Sequence, residues 1–251
     1  MLQTENQKFW EAQAENKSGH NVSWWDINMK KIEIATISKC INPDDYVLDL
    51  GCSNGSATAE IQEKTNAKFL GIDYSQKAIE QTSSINNPNI EFKYQDIRTL
   101  NMQNTFDKVM SMRCLINIMD EDERFEVIKS IHSCLKPNGT YIMCEAFVEG
   151  FKNLNKAREF FGLNELPMPK YNSYINEKEL EEKTKDLFYI DKVIKHSSLY
   201  YLGTRVFQYM CNDSDPTGAD TPLHRFFADY SQETSKSGDF GPNKVYLLRK
   251  K

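Results

Sequence analysis

Two glycines four residues apart, Gly51 and Gly55, close the apolar run Val47-Leu48-Asp49-Leu50 and open a helical pattern that begins at Ser56. Glycine at such a junction lets the backbone turn tightly and approach a ligand with no Cβ in the way. Seventeen residues beyond Ser56, a second β-rich run ends in Gly71-Ile72-Asp73-Tyr74-Ser75. It sets a carboxylate at a strand end, where two oxygens can accept from the two hydroxyls of a ribose. Nucleoside binding is the chemistry these residues suit. Each also has a plainer use: the glycine pair as a tight loop, Asp73 as a helix cap, Asp96 as a loop carboxylate bonded to nearby amides.

The elements that must position these groups alternate along the chain. Strands are predicted at Tyr46 to Leu50, Lys68 to Ile72, Ile90 to Tyr94, Lys108 to Met112 and Thr140 to Glu145. Helical spacing fills Ser56 to Lys64, Ser75 to Ser84 and Asp122 to Leu135, and Lys136-Pro137-Asn138-Gly139 reads as a stop. Such alternation implies a parallel sheet with helices against its faces. Asn28 to Ile41 reads as a lead-in helix before the Asn42-Pro43-Asp44-Asp45 turn, and Asn176 can cap a helix running to Leu187. Two more strands follow, Phe188 to Ile194 and Val245 to Leu248, separated by about fifty residues, too many for a bare loop. Leu199 to Met210 and Pro222 to Ser231 fill that gap as aromatic-rich helices around a turn-rich break at Asp213 to Asp220.

The 251 residues suffice for one domain with an elaboration: an N-terminal helical cap over 1–45, a binding core over 46–147, and additions over 148–175 and 197–243. With 31 basic and 36 acidic residues the net charge is −5, and no basic run courts a phosphate backbone, so nucleic acid is not an expected partner. Apolar runs are too short to span a bilayer and Met1 to Trp10 lacks the order of a secretion signal, which predicts a cytoplasmic protein with no membrane partner. Six cysteines without a CxxC pair and four histidines without metal spacing predict neither disulfides nor a metal site. The oligomeric state stays open.

On these residues the chain resembles the class I methyltransferases, whose first motif is Asp/Glu-x-Gly-x-Gly-x-Gly. Asp49-Leu50-Gly51-Cys52-Ser53-Asn54-Gly55 matches it with Ser53 in place of the middle glycine. The resemblance implies an α/β, Rossmann-like three-layer sandwich: a mostly parallel seven-stranded sheet with an antiparallel last strand, plus helical additions. It implies S-adenosylmethionine as cofactor, with Asp49, Gly51, Ser53, Asn54 and Gly55 in the binding turn. Asp73 would hold the ribose hydroxyls, Tyr74 flank the adenine, Asp96 and Ile97 meet its amino edge, and Met112 close the site from the fourth strand. The likeness covers residues 46 to 147. Arg113-Cys114-Leu115-Ile116-Asn117 and Tyr200-Tyr201-Leu202-Gly203-Thr204-Arg205 further resemble a subgroup of small-molecule methyltransferases, some associated with surface-glycan biosynthesis. A dinucleotide oxidoreductase would want Gly-x-Gly-x-x-Gly, where this chain has Gly51, Ser53 and Ser56. A module that binds the cofactor without catalysis is the other alternative.

A sulfonium methyl is already activated, so the protein chiefly has to place a nucleophile in line with it, about 3 Å away. A hydroxyl acceptor would add a general base, for which His20, Glu145 and His196 are the candidates; a solvated loop, a strand-end ion pair and a strand edge are their plainer roles. Trp24, Trp25, Phe160, Phe161, Tyr171, Tyr174, Tyr200 and Tyr201 can enclose an acceptor or the sulfonium, with some of them simply packing. Arg113, Arg205 and Asn117 are expected to meet the acceptor; Arg113, Arg158 and Arg205 can fork a carboxylate or phosphate, with a surface ion pair as the plainer use of each, above all of Arg158. The expected acceptor is a small polar or anionic metabolite, such as a sugar-linked or phosphorylated precursor of a surface glycan.

Overall fold

The computed structural model describes residues 5–17, 26–211, 220–233 and 238–251; His20, Trp24 and Trp25 lie outside the described residues. Seven strands form one sheet: β1 (Tyr46–Leu50), β2 (Lys68–Asp73), β3 (Ile90–Tyr94), β4 (Phe106–Met112), β5 (Leu135–Ala146), β6 (Phe188–Ile194) and β7 (Asn243–Lys250). Their spatial order is β3-β2-β1-β4-β5-β7-β6. β1 to β5 run parallel, with Leu48 level with Leu70 on one side and Val109 on the other, whereas β7 runs antiparallel to both neighbours, Met143 facing Tyr246. A dinucleotide-binding sheet in the order 3-2-1-4-5-6 has no such strand slotted before its last. The seven-stranded Rossmann-like sheet with an antiparallel last strand is therefore as anticipated.

The helices among the described residues are α1 (Glu5–Asn16), α2 (Ile27–Ser38), α3 (Ser56–Thr65), α4 (Gln76–Gln81), α5 (Glu121–Cys134), α6 (Val148–Phe160), α7 (Glu177–Thr184), α8 (Ser198–Leu202), α9 (Gln208–Cys211) and α10 (Pro222–Glu233). Central strands carry apolar residues on both faces because helices cover both. One face buries Leu48, Leu50, Val109, Tyr141 and Met143 against Val127, Ile128 and Ile131 of α5. The other buries Val47, Phe69, Met110, Ile142 and Cys144 against Ile34 and Ile37 of α2 and Ile61 of α3. A third cluster joins Met29 and Ile32 of α2 to Leu154, Tyr200, Val206 and Ala228, so the late helices stack on α2 rather than on the sheet.

Short side chains fix the helix starts by accepting orphan N–H groups. Asp26 accepts from Met29 at 3.0 Å, Ser75 from Ala78 at 3.1 Å, Asp120 from Glu123 at 2.8 Å and Asn176 from Glu179 at 3.0 Å. Two details depart from the sequence reading. The Lys136-Pro137-Asn138-Gly139 stop is absorbed into β5 as an irregularity between the Phe106/Leu135 and Lys108/Thr140 pairs, with Asn138 at φ +62°. The segment from Ser198 to Cys211 is interrupted by a π-helical turn at Gly203–Phe207. No helix among the described residues is long and apolar enough to cross a membrane.

Candidate active site

A cavity of about 720 Å³ lies over the carboxyl ends of β1, β2 and β4, where open α/β sheets bind ligands. Its floor is the turn after β1. Gly51 takes φ +68°, and a Cβ there would come within 2.5 Å of Cys114 Sγ; Gly55 takes φ +75° with Phe92 at the same distance. Ser53, where the motif has its middle glycine, adopts φ +53°. It thus keeps the left-handed backbone that glycine adopts freely. Its N–H donates to Asp73 Oδ2 at 2.8 Å while the Ser75 N–H donates to Oδ1 at 2.8 Å. The two bonds hold the carboxylate against the cavity wall, and each oxygen has a further lone pair for a ligand hydroxyl. Burial pushes Asp73 up to about 6, against the pull of those two N–H groups.

Tyr74, Asp96, Ile97 and Met112 line the same cavity. Asp96 caps the turn at Ile97–Thr99 by accepting from the Arg98 N–H at 3.0 Å, and the Arg98 guanidinium grips both its oxygens. Burial would raise Asp96, but its bonds to Arg98 hold it below the ordinary carboxylate range. Asp49, Asn54 and Gly55 belong to the same turn but are not among the residues that line the cavity. Asp49 is buried and accepts from Thr58 Oγ1 at 2.6 Å, with burial pushing it up to about 7. Asn54 accepts from Ser56 Oγ at 2.8 Å and donates to Gln81. All three shape the turn from behind.

Arg113, Asn117, Tyr201 and Arg205 reach the cavity, joined by Tyr171 and Tyr174. Both arginines are ion-paired, with buried carboxylates rather than the surface partners the sequence reading weighed. Arg113, at φ +55°, donates from Nε to Glu33 at 3.1 Å, and Glu33, wholly buried, also accepts from Asn243 at 2.6 Å. Arg205 donates to the wholly buried Asp26 at 2.8 Å. Tyr200 is corrected: it lies inside the protein, its hydroxyl donating to Asp26 at 2.7 Å. Phe160 and Phe161 are exposed away from the cavity, 83% and 42%. Arg158 packs internally, bonding the carbonyls of Asn164 and Arg205.

Neither described candidate base faces the ligand space. Glu145 is buried beneath it and accepts from Ser111 Oγ at 2.6 Å and from the N–H groups of Cys114, Leu115 and Ile116 at 3.0–3.3 Å. It anchors the segment after β4 that seats on Gly51. Burial pushes Glu145 up, opposed by those four donors. His196 is buried outside the cavity, and burial pushes it down to about 4, so it is neutral. It lies with Glu33 and Cys144, their ligand atoms within 4.8 Å of one another, but Glu33 is already paired with Arg113. Neither Glu145 nor His196 is among the residues that line the cavity.

The N-terminal cap was expected, but the residues by which α1 lines the cavity were not singled out. Asn6, Trp10 and Ala14, one turn apart, line the cavity from above. Its polar sequence, ENQKFWEAQAEN, carries no strong apolar stripe that would have marked it as a covering helix.

Comparison with known proteins agrees with this geometry. The methyltransferase-domain family model matches residues 47–139. The carboxy-S-adenosyl-L-methionine synthase of Shewanella woodyi is 28% identical over 115 residues, 43% of this chain and 46% of that protein. The chain thus matches about half the length of this curated relative. Among solved structures, a chain of the Haloferax volcanii complex between the Trm112 methyltransferase activator and a methyltransferase aligns over 100% of this chain and 99% of its own, with a TM-score of 0.65 and 16% identity. The magnesium protoporphyrin IX methyltransferase of Synechocystis PCC 6803, with bound S-adenosylmethionine, aligns over 97% of this chain and 91% of its own, with a TM-score of 0.57 and 14% identity. At such identities the structural likeness is one of fold.

Proposed function

We propose that the chain, whose residues 47–139 match a methyltransferase-domain model, is an S-adenosylmethionine-dependent methyltransferase that transfers the cofactor's methyl group to a small, polar or anionic metabolite. The observation that carries this reading is Asp73, fixed by two backbone N–H groups at the wall of the 720 Å³ cavity and beside the Gly51 turn. In this reading Asp73 accepts from the ribose hydroxyls, Tyr74 and Ile97 flank the adenine, and Asp96 takes its amino group. The methyl then points toward the region of Met112, Asn117, Tyr174 and Tyr201. The cofactor supplies an already activated methyl, so these residues align the acceptor and exclude water.

The arginines support an anionic acceptor through their unlike partners: Arg113 and Arg205 both border the cavity while their counter-ions are wholly buried. A guanidinium fork can engage a carboxylate or phosphate without giving up its internal partner. A cytoplasmic location belongs to the same reading, supported by six free cysteines. The test is a metabolite screen with isotopically labelled cofactor, with sugar phosphates and nucleotide sugars as one arm. Label on an anionic metabolite is the expected result; label only on uncharged compounds would remove the arginine role.

A second reading is favoured by the sequence match itself, since the relative's name describes a carboxylated cofactor as its product. In that reading the cofactor is modified rather than spent. Mass analysis of the recovered cofactor separates the two, because carboxylation adds the elements of carbon dioxide and methyl transfer leaves the demethylated product.

A further inference from the structure

α1 lies over the cavity as a strap tied at both ends. At its start, Asn6 Nδ2 donates to the carbonyls of Asn117 at 2.6 Å and Tyr171 at 3.1 Å, and Phe9 stacks on Tyr171 at 4.4 Å. At its end, Ala14 packs on Ala78, and Gln81 of α4 donates to the Ala14 carbonyl at 2.6 Å. The helix therefore runs from the segment after β4 to the helix that follows Asp73, crossing the line a bound nucleoside and its side chain would take.

Two polar atoms on the cavity-lining face of α1 are buried and without a partner among the described residues: Asn6 Oδ1 and Trp10 Nε1. A buried polar atom is ordinarily bonded, and the two residues are four apart, neighbours on one helix face. Asn6 is 8% exposed, and both protons of its amide nitrogen are engaged by protein carbonyls, so its oxygen is oriented away from them. The pair thus offers one acceptor and one donor. Asn6 holds the start of the helix at the Asn117 and Tyr171 carbonyls, and Trp10 follows one turn later on the cavity-lining face.

We infer that Asn6 and Trp10 hold the amino-acid end of the cofactor, Asn6 Oδ1 accepting from its ammonium and Trp10 Nε1–H donating to its carboxylate. A zwitterion is the group that presents a donor and an acceptor a few ångströms apart, and each bond is charge-assisted. The inference rests on the cofactor reading above. It makes α1, which lies outside the matched residues 47–139, part of the cofactor site.

Calorimetry with two probes tests it: S-adenosylhomocysteine, which keeps the amino-acid end, and methylthioadenosine, which lacks it. Trp10→Phe keeps an aromatic ring and removes the N–H. It should weaken S-adenosylhomocysteine about tenfold and leave methylthioadenosine unchanged. Asn6→Leu should give the same selectivity together with a lower melting temperature, because two carbonyls lose their donor. The ratio of the two affinities separates contact from folding, which would move both probes alike. Equal loss for both probes, or no loss for either, overturns the inference. Failure of the wild-type protein to bind S-adenosylhomocysteine would instead overturn the cofactor reading.

Discussion

The two ends of the cavity are built by different physics. At the nucleoside end the decisive contacts are short in sequence: Ser53 to Asp73 spans twenty residues, Ser75 to Asp73 two, and Arg98 to Asp96 two. At the acceptor end they are long: Arg113 to Glu33 spans 80 residues, Tyr200 to Asp26 174 and Arg205 to Asp26 179. Local turns and caps fix the first end from the residue types present. The second end exists only once α2, the segment after β4 and the late helices have met.

Asp26 should show the largest effect, because it carries the acceptor end on one buried side chain: it caps α2 and accepts from both Tyr200 and Arg205. Asp26→Ala removes the buried counter-ion of the largely buried Arg205 guanidinium and should cost about 3–5 kcal/mol of stability, measured by urea unfolding. A cost below about 1 kcal/mol would mean the late helices do not depend on it.

Asp73→Ala should weaken S-adenosylhomocysteine by about 1.5–3 kcal/mol, the scale of hydrogen bonds to a charged group, with a much smaller change in stability. Unchanged affinity would reject the ribose role. Asp107 is the matched control: it pairs with Lys136 and accepts from the Tyr46 N–H at the opposite end of the sheet. Asp107→Ala should leave cofactor affinity within calorimetric error.

The pH dependence is a smaller effect with a definite sign. Asp73 titrates near 6, raised by burial above its ordinary value. Ribose hydroxyls favour the ionised form, so affinity is full above that value and falls as pH drops through it. One unit below, the loss is about tenfold, or about 1.4 kcal/mol. Asp73→Asn should flatten the profile, and a wild-type profile already flat between about pH 7.5 and 5 would contradict the assignment.

The same contrast explains what could be read from the residues alone. The β1 turn, Asp73 and the positions of the strands along the chain were legible because glycine, capping residues and apolar runs encode local backbone directly, whereas the mixed sheet was expected from the family resemblance. Ser53 was legible as a departure, and its φ of +53° shows that the backbone keeps the turn despite the side chain. Glu145 was named as a candidate base, with a strand-end ion pair as its plainer role, because a carboxylate at a strand end looks available. The alternation of β5 puts it on the face of Tyr141 and Met143, against Ser111, and this was the signal to use. The partners of Arg113 and Arg205 were not legible, since no local pattern couples residues so far apart. An N-terminal helical cap was expected, but which of its residues face the cavity was hidden, because Asn6, Trp10 and Ala14 do not form an apolar stripe.

The central claim is that the cavity beside Asp73 binds an adenosyl cofactor, and titration calorimetry of the folded protein with S-adenosylmethionine and S-adenosylhomocysteine tests it most directly. The account predicts binding of both on the order of micromolar, about −8 kcal/mol, and little or no heat with NAD. No heat with either adenosyl compound at high protein concentration, or tighter binding of NAD, would contradict it.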